Sequence, residues 1–354
     1  MNVPLKISVV VATYNRAETL RETIHHLTDQ DLDPACYEVV IADDGSPDHT
    51  RQVVEEAMKV VPFHLTYVTH PNHGIGYTQN RGLEAAKAPI VLMMADDIFM
   101  MRQALKVHVA MHEARPEPEV AIQGRVVQSP RLTESVFLRT WDPFRFSSFS
   151  GLTELPYYRF WACHISAKRE FVISHGAFRE HRGRAGAACH EDSELGYRLH
   201  QAGLRIFYCK DALGHHHHVV SLKTACIRAY EQGLNFDEYR MWVPEPEISV
   251  AYHVLRWSEI GDHLRAWFGP RRHHLTSGDR NPALLLARCL VRALAFNALT
   301  VRFFWEPIFA KAEHDPTIAR LMRPSYYRGL IAYHFFRGCR EGNIRFGVPR
   351  PQQA

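Results

Sequence analysis

A short apolar run that ends at two carboxylates constrains this chain more than any other feature of its sequence. Ile90 to Met94 are five uninterrupted apolar residues, and Asp96 and Asp97 follow them after Ala95. A fully apolar run of this length is typical of a strand that is buried on both faces of a sheet. Ligands of open α/β sheets bind beyond the carboxyl ends of the strands, where two carboxylates can hold a divalent cation and, through it, a diphosphate. The alternative is a strand that ends in a solvated acidic turn.

The residues before this run alternate between strand-like and helix-like segments. In chain order we predict them at Lys6–Ala12, Ala17–Leu27, Tyr37–Ala42, Pro47–Val61, Phe63–Val68 and Gly76–Ala86. Such alternation predicts βαβ units and a largely parallel sheet. The strand at Tyr37 also ends at an Asp-Asp pair, Asp43 and Asp44. Because parallel strands end at one edge of a sheet, we expect both pairs to converge on one phosphate or nucleotide.

Composition places the chain among ordinary globular proteins. Hydrophobic residues make up 46% and charged residues 23% of it, both usual values for a folded domain. The seven cysteines form no C-x-x-C pair, which fits a reducing compartment. The sequence runs from Met1 directly into a strand-like segment, so we expect no signal peptide and a cytoplasmic location.

Charge is distributed unevenly along the chain. From Glu247 onward there are sixteen Lys and Arg against eight Asp and Glu, which indicates an anionic surface or acceptor near this part. Within it, Ala283 to Ala310 is strongly apolar but is interrupted by three arginines. Two interpretations stay open: a buried bundle helix, which we favour, or an interfacial helix with its arginines toward lipid headgroups. The basic residues match no nucleic-acid recognition motif, so we expect no nucleic-acid partner.

Four segments in order resemble the inverting family 2 glycosyltransferases with the GT-A fold. They are SVVVATYNRAETL, VVIADDGSPDHT, GYTQNRGLEAAKAPIVLMMADDI and HEDSELGYRL, and the resemblance runs from about Ile7 to about Tyr230. It implies an α/β, Rossmann-like fold with a mostly parallel central sheet flanked by helices. Residues 1–240 would form the GT-A domain, with a nucleotide-sugar-binding half at 1–115 and an acceptor-binding half at 116–240. A basic, mainly helical C-terminal extension, residues 241–354, would follow.

The resemblance also implies which residues bind the nucleotide sugar. The first loop would hold the nucleoside with Thr13, Tyr14, Asn15 and Arg16, and an acidic pair, Asp43 and Asp44, would contact the base. The start of the N-R-G helix, with Asn80 and Arg81, would lie near the nucleotide. Asp96 would face the ribose and diphosphate. Asp97 matches the metal ligand that ends the D-x-D motif, with Mn²⁺ or Mg²⁺ as the metal. Ala95 stands where that motif has its first Asp, which leaves open how the ribose is held.

The same resemblance assigns the reaction chemistry to the second half of the domain. Asp192 would be the general base that deprotonates the acceptor, with Glu191 beside it in the acceptor site. The simpler explanation is that carboxylates in the first turn of a helix are stabilised by its N-terminus. In the family a histidine after the next strand completes the metal site. Spacing from Ala212 favours His216, with His218 on the same face of an extended chain, and His215 stays open.

Three further segments near these motifs have alternative interpretations. The aromatic residues between 128 and 160 could stack on sugar rings, but we favour a core position for them. His164 stands where the family commonly has Asn, which predicts a changed contact with the acceptor. His253 to Trp257 resembles a motif of processive polysaccharide synthases, and we interpret this as chance because the sequence lacks multiple membrane spans.

These features predict a metal-dependent, inverting glycosyltransferase. The donor would be a nucleoside-diphosphate sugar, with a UDP-sugar favoured, and the acceptor a saccharide or a lipid-linked saccharide. Ala95 leaves open a non-catalytic nucleotide-sugar-binding relative. A sugar nucleotidyltransferase is the third hypothesis, but it predicts a Gly-rich triphosphate loop that VVATYNRAETL does not match. Peripheral contact with the inner face of a membrane would involve the basic extension, and the oligomeric state stays open.

Overall fold

The computed structural model describes residues 3–141, 144, 146–149, 152–181, 190–254, 260–270 and 280–346. Backbone contacts divide these residues into two compact units. The sheet unit comprises the described residues up to Arg131, those from 144 to 181, and Glu191 to His218; the helical unit comprises Leu132–Trp141, His190 and the described residues from Val219 onward. Residues 182–189, residues 255–257 of the synthase-like motif and the C-terminal residues 347–354 lie outside the described residues. The domain boundary at residue 240 stays a prediction.

Among the described residues, nine strands form one sheet. They are β1 (Ile7–Thr13), β2 (Tyr37–Asp43), β3 (His64–Thr69), β4 (Ile90–Ala95), β5 (Ile98–Met100), β6 (Val120–Gln128), β7 (Glu154–Leu155), β8 (His164–Lys168) and β9 (Arg205–His216). Their order is β3-β2-β1-β4-β8-β6-β9-β5, and β7 pairs with β9. The first four strands are parallel, β8 is antiparallel to both neighbours, and β9 is parallel to β6. The sheet is therefore mixed, with the predicted parallel βαβ units in its first half.

The α-helices follow the predicted alternation and then fill the C-terminal region. They are α1 (Ala17–Thr28), α2 (Thr50–Ala57), α3 (Ile75–Ala85), α4 (Ala104–Glu113), α5 (Val136–Thr140), α6 (Arg169–Ser174), α7 (Glu191–Gln201), α8 (Leu222–Trp242), α9 (Glu247–Ala251), α10 (Ile260–Phe268), α11 (Pro282–Ala295), α12 (Ala298–Thr300), α13 (Glu306–Ala312), α14 (Pro316–Leu321) and α15 (Pro324–Phe346). A π-helical turn, Val301–Trp305, joins α12 to α13. Helix α2 begins later than predicted because the Asp48 carboxylate accepts hydrogen bonds from the backbone N–H and hydroxyl of Thr50 and turns the chain before it. It also ends earlier, at Ala57 rather than Val61.

The apolar segments of the sequence form the buried strands at the core of the sheet unit. Every residue of β1 and β2 is buried, as are the five apolar residues of β4. Helix α1 covers the sheet with the stripe predicted for it, and Leu20, Ile24 and Leu27 are all buried. Burial of this apolar surface on both sides of the sheet is the main stabilising term.

In the helical unit, two long helices pack through glycines. A Cβ atom on Gly233 of α8 would lie 2.1 Å from the carbonyl oxygen of Phe335 on α15. A Cβ on Gly338 of α15 would lie 2.1 Å from the carbonyl oxygen of Tyr230 on α8. Glycine at both positions therefore lets the two backbones approach more closely than any other residue would allow. The Tyr230 hydroxyl donates to the Glu341 carboxylate at 2.6 Å beside this crossing.

The apolar segment from Ala283 to Ala310 is not one continuous helix. The chain breaks between α11 and α12, where the Asn297 side chain accepts hydrogen bonds from the backbone N–H groups of Leu299 and Thr300. No single described helix is long and apolar enough to cross a membrane, and Pro282–Ala295 and Ala298–Ala312 meet that criterion only as a pair bent by 48°. Only Leu285 and Cys289 of α11 are buried, so the expectation of a buried bundle helix is wrong for this helix.

Candidate active site

The Asp96–Asp97 pair lies between β4 and β5 at the carboxyl end of the parallel strands. Both residues are buried, with 4% and 5% of their surface exposed. The Thr13 hydroxyl, at the end of β1, donates to Asp96 Oδ2 at 2.7 Å. The Thr23 hydroxyl of α1 donates to the Asp96 carbonyl at 2.6 Å. The first βα unit thus orients Asp96, as expected for a site at this edge of the sheet.

Arg16 holds the two carboxylates together. Its Nη1 donates to Asp96 Oδ1 at 2.6 Å and to Asp97 Oδ2 at 2.8 Å, and its Nη2 contacts His218. Burial raises the pKa of Asp96, although the Arg16 charge acts against it. Burial would also raise the pKa of Asp97, but the hydrogen bond from His218 and the charges of His216 and Arg16 outweigh it and hold that pKa well below its usual range. Asp97 is therefore the carboxylate that these neighbours keep ionised.

The structure brings three predicted metal ligands together. Strand β9 pairs with β5 so that His216 lies opposite Ile98, one residue from Asp97. His218 Nδ1 lies 2.9 Å and His216 Nε2 3.6 Å from Asp97 Oδ2. One ligand atom from each of Asp97, His216 and His218 lies within 4.8 Å of the others, and His215 is not part of this group of described residues. A carboxylate with two imidazoles fits a divalent transition metal such as Mn²⁺.

An aromatic cluster supports the histidine side of this group. The ring of Phe144 meets His216 edge-on with centroids 5.1 Å apart, and Phe144 also contacts Trp161. Phe146 and Phe149 pack behind them and are almost completely buried. The predicted core position is confirmed for six aromatic residues of the segment, which are all buried: Phe137, Phe146, Phe149, Tyr157, Tyr158 and Phe160.

The loops after β1 and β2 are tied to each other. Asn15 has a φ angle of 56°, a left-handed conformation that is uncommon outside glycine, and its N–H donates to the Ser46 hydroxyl at 2.8 Å. That hydroxyl in turn donates to Asp43 Oδ1 at 2.6 Å. Tyr14 is 46% exposed beside them. These residues form a braced polar edge, and their contact with a nucleoside stays a prediction.

Asp44 is used within the fold itself. Its carboxylate accepts hydrogen bonds from the N–H of His73 at 2.7 Å and of Gly74 at 3.0 Å, where the chain enters α3. The Asn72 side chain donates to it as well, at 3.1 Å. Asp44 therefore shapes the loop before α3, and a contact with the base would use whatever acceptor capacity these bonds leave.

Asn80 and Arg81 contact a different part of the sheet unit. The Asn80 amide exchanges two hydrogen bonds with the backbone of Phe178, both at 2.9 Å. Arg81 pairs with Glu84 and Glu180. Among the hydrogen bonds and ion pairs of the described residues, none joins either side chain to Asp96 or Asp97. The structure gives both residues a role in holding the segment around Phe178, and their role toward the nucleotide stays a prediction.

Asp192 lies in the first turn of α7, next to Glu191, and is partly buried. The Ser193 N–H donates to Asp192 Oδ1 at 2.8 Å. Burial outweighs this bond and raises the pKa of Asp192 to about 6. Burial also raises the pKa of the Cys163 thiol, and the charges of Asp192 and then Asp97 raise it further. The Ala162 backbone also forms a hydrogen bond with Asp192, and the Ala95 N–H, two residues before Asp97, donates to the Cys163 carbonyl at 3.1 Å. Ala162 and Cys163 thus link Asp192 to the end of β4, and a pKa of about 6 suits a general base.

Sequence reasoning did not identify Glu194, which organises the start of α7. Its side chain is completely buried and accepts from Arg179 Nε at 2.7 Å and Arg198 Nε at 2.8 Å. The signal was present, because Glu194 and Arg198 are four residues apart on a predicted helix. The contact with Arg179 joins separate segments and could not be read from spacing.

His164 lies in the core of the sheet unit, and its predicted effect on acceptor contacts stays a prediction. His164 is completely buried, and its Nε2 lies 3.2 Å from Nε2 of His108 on α4. A Cβ atom on Gly124 would lie 2.6 Å from the His164 ring, so the ring fills the space above that glycine. The side chain at position 164 therefore points into the layer between the sheet and α4.

The family profile described as glycosyl transferase family 2 matches residues 8–181. The chain is also similar to validoxylamine A glucosyltransferase of Streptomyces hygroscopicus subsp. limoneus, with 27% identity over 260 residues, which cover 64% of this chain and 56% of that protein. This chain spans less than two thirds of the length of the first curated relatives that it matches.

Two solved structures share the fold. Mannosyltransferase PcManGT from Pyrobaculum calidifontis, in complex with GDP-Man and Mn²⁺, superposes with a TM-score of 0.54 at 19% identity, covering 94% of this chain and 86% of that one. S. aureus TarS 1–349 in complex with UDP has a TM-score of 0.50 at 19% identity, covering 97% and 92%. The predicted family and fold class are confirmed. The chain therefore carries a glycosyl transferase family 2 domain with the GT-A fold.

Proposed function

We propose that this chain is a metal-dependent, inverting glycosyltransferase that moves a sugar from a nucleoside-diphosphate sugar to an acceptor hydroxyl. One observation carries the proposal: an Asp97–His216–His218 group, in which Asp97 is buried and both histidines are partly buried, lies at the carboxyl edge of the parallel strands that belong to a family 2 domain. Asp192, a carboxylate with a raised pKa, is linked to the same edge through the backbone of Ala162 and Cys163. Ala95 removes one carboxylate of the usual motif, but Asp96, Asp97 and Asp192 remain, which favours a catalytic protein over a binding relative.

The reaction proceeds by one displacement. Asp192 takes the proton of the acceptor hydroxyl, and the acceptor oxygen forms a bond to the anomeric carbon of the donor sugar. The bond between that carbon and the diphosphate oxygen breaks at the same time, and the nucleoside diphosphate leaves with the electron pair. Attack from the face opposite the leaving group inverts the anomeric configuration. A carboxylate with a pKa of about 6 is unprotonated at neutral pH and still basic enough to accept this proton.

Residues at the edge of the sheet prepare the leaving-group side of the site. Asp97, His216 and His218 would hold the metal ion, which supplies positive charge to stabilise the leaving diphosphate. Arg16 adds a guanidinium in contact with both Asp96 and Asp97, within reach of anionic oxygens that bind there. Asp96 is oriented by Thr13 and faces the same edge.

For the donor we propose a UDP-sugar. The TarS structure holds UDP and the Pyrobaculum enzyme holds GDP-Man, so GDP-mannose is the second candidate to be tested. For the acceptor we propose a saccharide or a lipid-linked saccharide on the cytoplasmic side of a membrane. Residues 1–240 would perform the reaction, and residues 241–354 would act as an accessory extension.

A nucleotide screen tests the proposal directly. The thermal unfolding temperature of the full chain is measured with UDP, GDP, dTDP, CMP and ATP, each with and without Mn²⁺. A ligand that binds only the folded state raises this temperature, so one nucleoside diphosphate should raise it in a Mn²⁺-dependent way. The matching sugar nucleotide is then supplied with acceptors, and the anomeric configuration of the product is read by NMR; retention would contradict the single displacement.

Asp97→Ala tests the metal group separately. It should abolish the Mn²⁺-dependent part of the temperature shift, whereas Asp29→Ala, at an exposed position of the same unit, should leave it unchanged. An equal shift with and without Mn²⁺ in the parent protein would refute the metal assignment. No shift with any nucleotide would favour the non-catalytic relative, and a shift with ATP alone would favour a nucleotidyltransferase.

A further inference from the structure

The helical unit exposes a concentrated apolar surface. Within the stretch from α11 to the π-helical turn, large apolar side chains are 42% to 70% exposed: Leu284, Leu286, Leu290, Val291, Leu294, Leu299, Phe303 and Phe304. The sheet unit exposes comparable residues only as scattered individuals such as Val60 and Ile75. Scattered exposed apolar residues are normal, but a contiguous group marks a surface that binds something.

Helix geometry places many of these side chains on one face. Leu286, Leu290 and Leu294 follow one another at intervals of four residues, so they line the same side of α11. Leu285 and Cys289 lie about a third of a turn away around the helix and are buried within the helical unit. Helix α11 therefore has two apolar faces, of which the fold covers one.

The charge of this segment points to the kind of partner. From Pro282 to Phe304 the sequence contains three arginines and no Asp or Glu. Arg288 and Arg302 are exposed. Arg292 is held within the unit, where it lies over the Phe336 ring at 4.3 Å and donates to the His253 carbonyl. An apolar face flanked by cations and free of anions matches a lipid surface with anionic headgroups.

A groove continues from this face into the unit. It has a volume of about 1080 Å³ and lies between α11 and α15. Its walls include Leu286 and Leu290 from the exposed face and Ile344, which is itself 79% exposed, and Arg340 lies among its polar lining residues. Apolar walls with an arginine beside them suit an acyl chain and the phosphate attached to it.

The length of α11 and the bend after it favour a position in the membrane interface over one that crosses the membrane. Helices Pro282–Ala295 and Ala298–Ala312 are apolar enough to span only as a pair, and they meet at 48°. A helix of fourteen residues is about 21 Å long, shorter than the roughly 30 Å hydrocarbon core of a bilayer. Two short helices that share an apolar face can instead lie flat in the interface.

We propose that the exposed apolar face of α11, α12 and the π-helical turn inserts into the interface of a membrane that contains anionic lipids. Leu290, Leu294 and Phe303 supply the apolar contact, and Arg288 and Arg302 contact headgroup phosphates. The proposal does not depend on the sugar-transfer reaction, because it rests on residues of the helical unit alone.

Vesicle flotation with the full chain tests this proposal. The protein should float with vesicles of equal parts phosphatidylcholine and phosphatidylglycerol, and much less with phosphatidylcholine alone. The triple variant Leu290→Gln, Leu294→Gln, Phe303→Gln should lower the partition coefficient about tenfold or more, because it removes most of the apolar surface that would be buried in the membrane. Arg288→Gln with Arg302→Gln should weaken binding to the anionic vesicles and reduce its dependence on salt.

Val60→Gln is the matched control, since Val60 is 79% exposed but belongs to the sheet unit. It should float like the parent protein. The proposal is overturned if the parent protein does not bind anionic vesicles, or if the triple variant binds them equally well. It is also overturned if light scattering shows a dimer that the triple variant dissociates, because a second copy of the chain would then cover this face. All substituted side chains are exposed, and near-UV circular dichroism verifies that the variants fold.

Discussion

Helices α1 and α11 look alike in sequence and differ in what covers them. Both carry apolar residues at helical spacing. In α1 the apolar stripe of Leu20, Ile24 and Leu27 is buried against the sheet, whereas in α11 Leu290 and Leu294 are 61% and 67% exposed. Periodicity therefore predicts that a segment is helical and which of its sides is apolar. Whether that side meets the core, a lipid surface or another chain depends on the neighbouring elements.

Charge also differs between the candidate site and the apolar face of α11. The sheet unit buries Asp96, Asp97 and Glu194, and each contacts an arginine within the unit. The C-terminal helices expose arginines such as Arg288 and Arg302. Burying a carboxylate costs free energy unless the carboxylate is paired. The fold therefore positions an arginine beside each of these buried carboxylates.

The largest expected effect is at Asp192. Asp192→Asn should lower the rate of transfer by a factor of about 10² to 10⁴, because the amide cannot accept the acceptor proton. The parent enzyme should lose kcat/KM as the pH falls below about 6, since burial raises the pKa of Asp192 to about 6 and the unprotonated form is required. Steady-state kinetics measure both effects.

The binding of nucleotide with Mn²⁺ provides the control for that variant. Asp192→Asn should leave the Mn²⁺-dependent shift in unfolding temperature unchanged, because the proposed mechanism has this residue contact the acceptor rather than the nucleotide. Glu191→Gln is the neighbouring comparison and should retain more activity. An active Asp192→Asn enzyme would move the base to another residue.

A matched pair of substitutions tests the comparison between α1 and α11. Leu20→Ala should lower the free energy of unfolding by about 2 to 5 kcal/mol, because the completely buried side chain leaves a cavity. Leu290→Ala should change it by less than about 0.5 kcal/mol. Urea unfolding in the absence of lipid measures both. A large loss in Leu290→Ala would show that α11 packs more tightly than its exposure indicates.

The sheet unit should also lose stability in mild acid. Three of its histidines are buried and linked to one another or to Ser166: His108, His112 and His164. Burial lowers the pKa of His112 to about 3 and of His164 to about 4, and that of His108 well below its usual value. In the unfolded chain these residues bind protons near pH 6.5. The unfolded state therefore binds more protons as the pH falls from about 6.5 toward 4, and the folded state is destabilised.

The size of this effect follows from the number of protons. Each such histidine contributes up to about 1.4 kcal/mol per pH unit in that window. His190 in the helical unit, whose pKa burial lowers to about 4, adds to it. Asp192 has the opposite effect and cancels the contribution of about one histidine, since its raised pKa makes the folded state bind a proton at a higher pH than the unfolded state does. Urea unfolding between pH 7 and pH 5 measures the slope, which His112→Asn should reduce; stability independent of pH would contradict the buried neutral histidines.

The smallest effect concerns Arg16. Arg16→Gln removes a positive charge from Asp97, so the protein without nucleotide should bind Mn²⁺ about tenfold more tightly. With Mn²⁺ present, the nucleoside diphosphate should bind less tightly, because a cation beside its phosphates is lost. Titration calorimetry measures both, and Arg21→Gln, which changes an exposed ion pair on α1, is the control. Unchanged Mn²⁺ affinity would show that Arg16 does not face the metal ligands.

The sequence by itself determined the secondary structure of the first half and the chemistry expected at its edge. The uninterrupted apolar run at Ile90 could only be stable if covered on both faces, and β4 is buried in this way. The alternation of side chains along a strand placed His216 and His218 on one side, and the structure brings both to Asp97. These inferences succeeded because they depend on local periodicity and on the edge that parallel strands share.

Only the tertiary structure decided the contacts between residues that are distant in the chain. Arg16 reaches Asp96 and Asp97 across 80 and 81 positions, and the burial of His164 depends on α4 and Gly124. The exposure of Leu290 depends on what the fold leaves uncovered. None of these follows from spacing, because a periodic pattern shows which side of an element is apolar or polar but carries no information about which other element will pack against it.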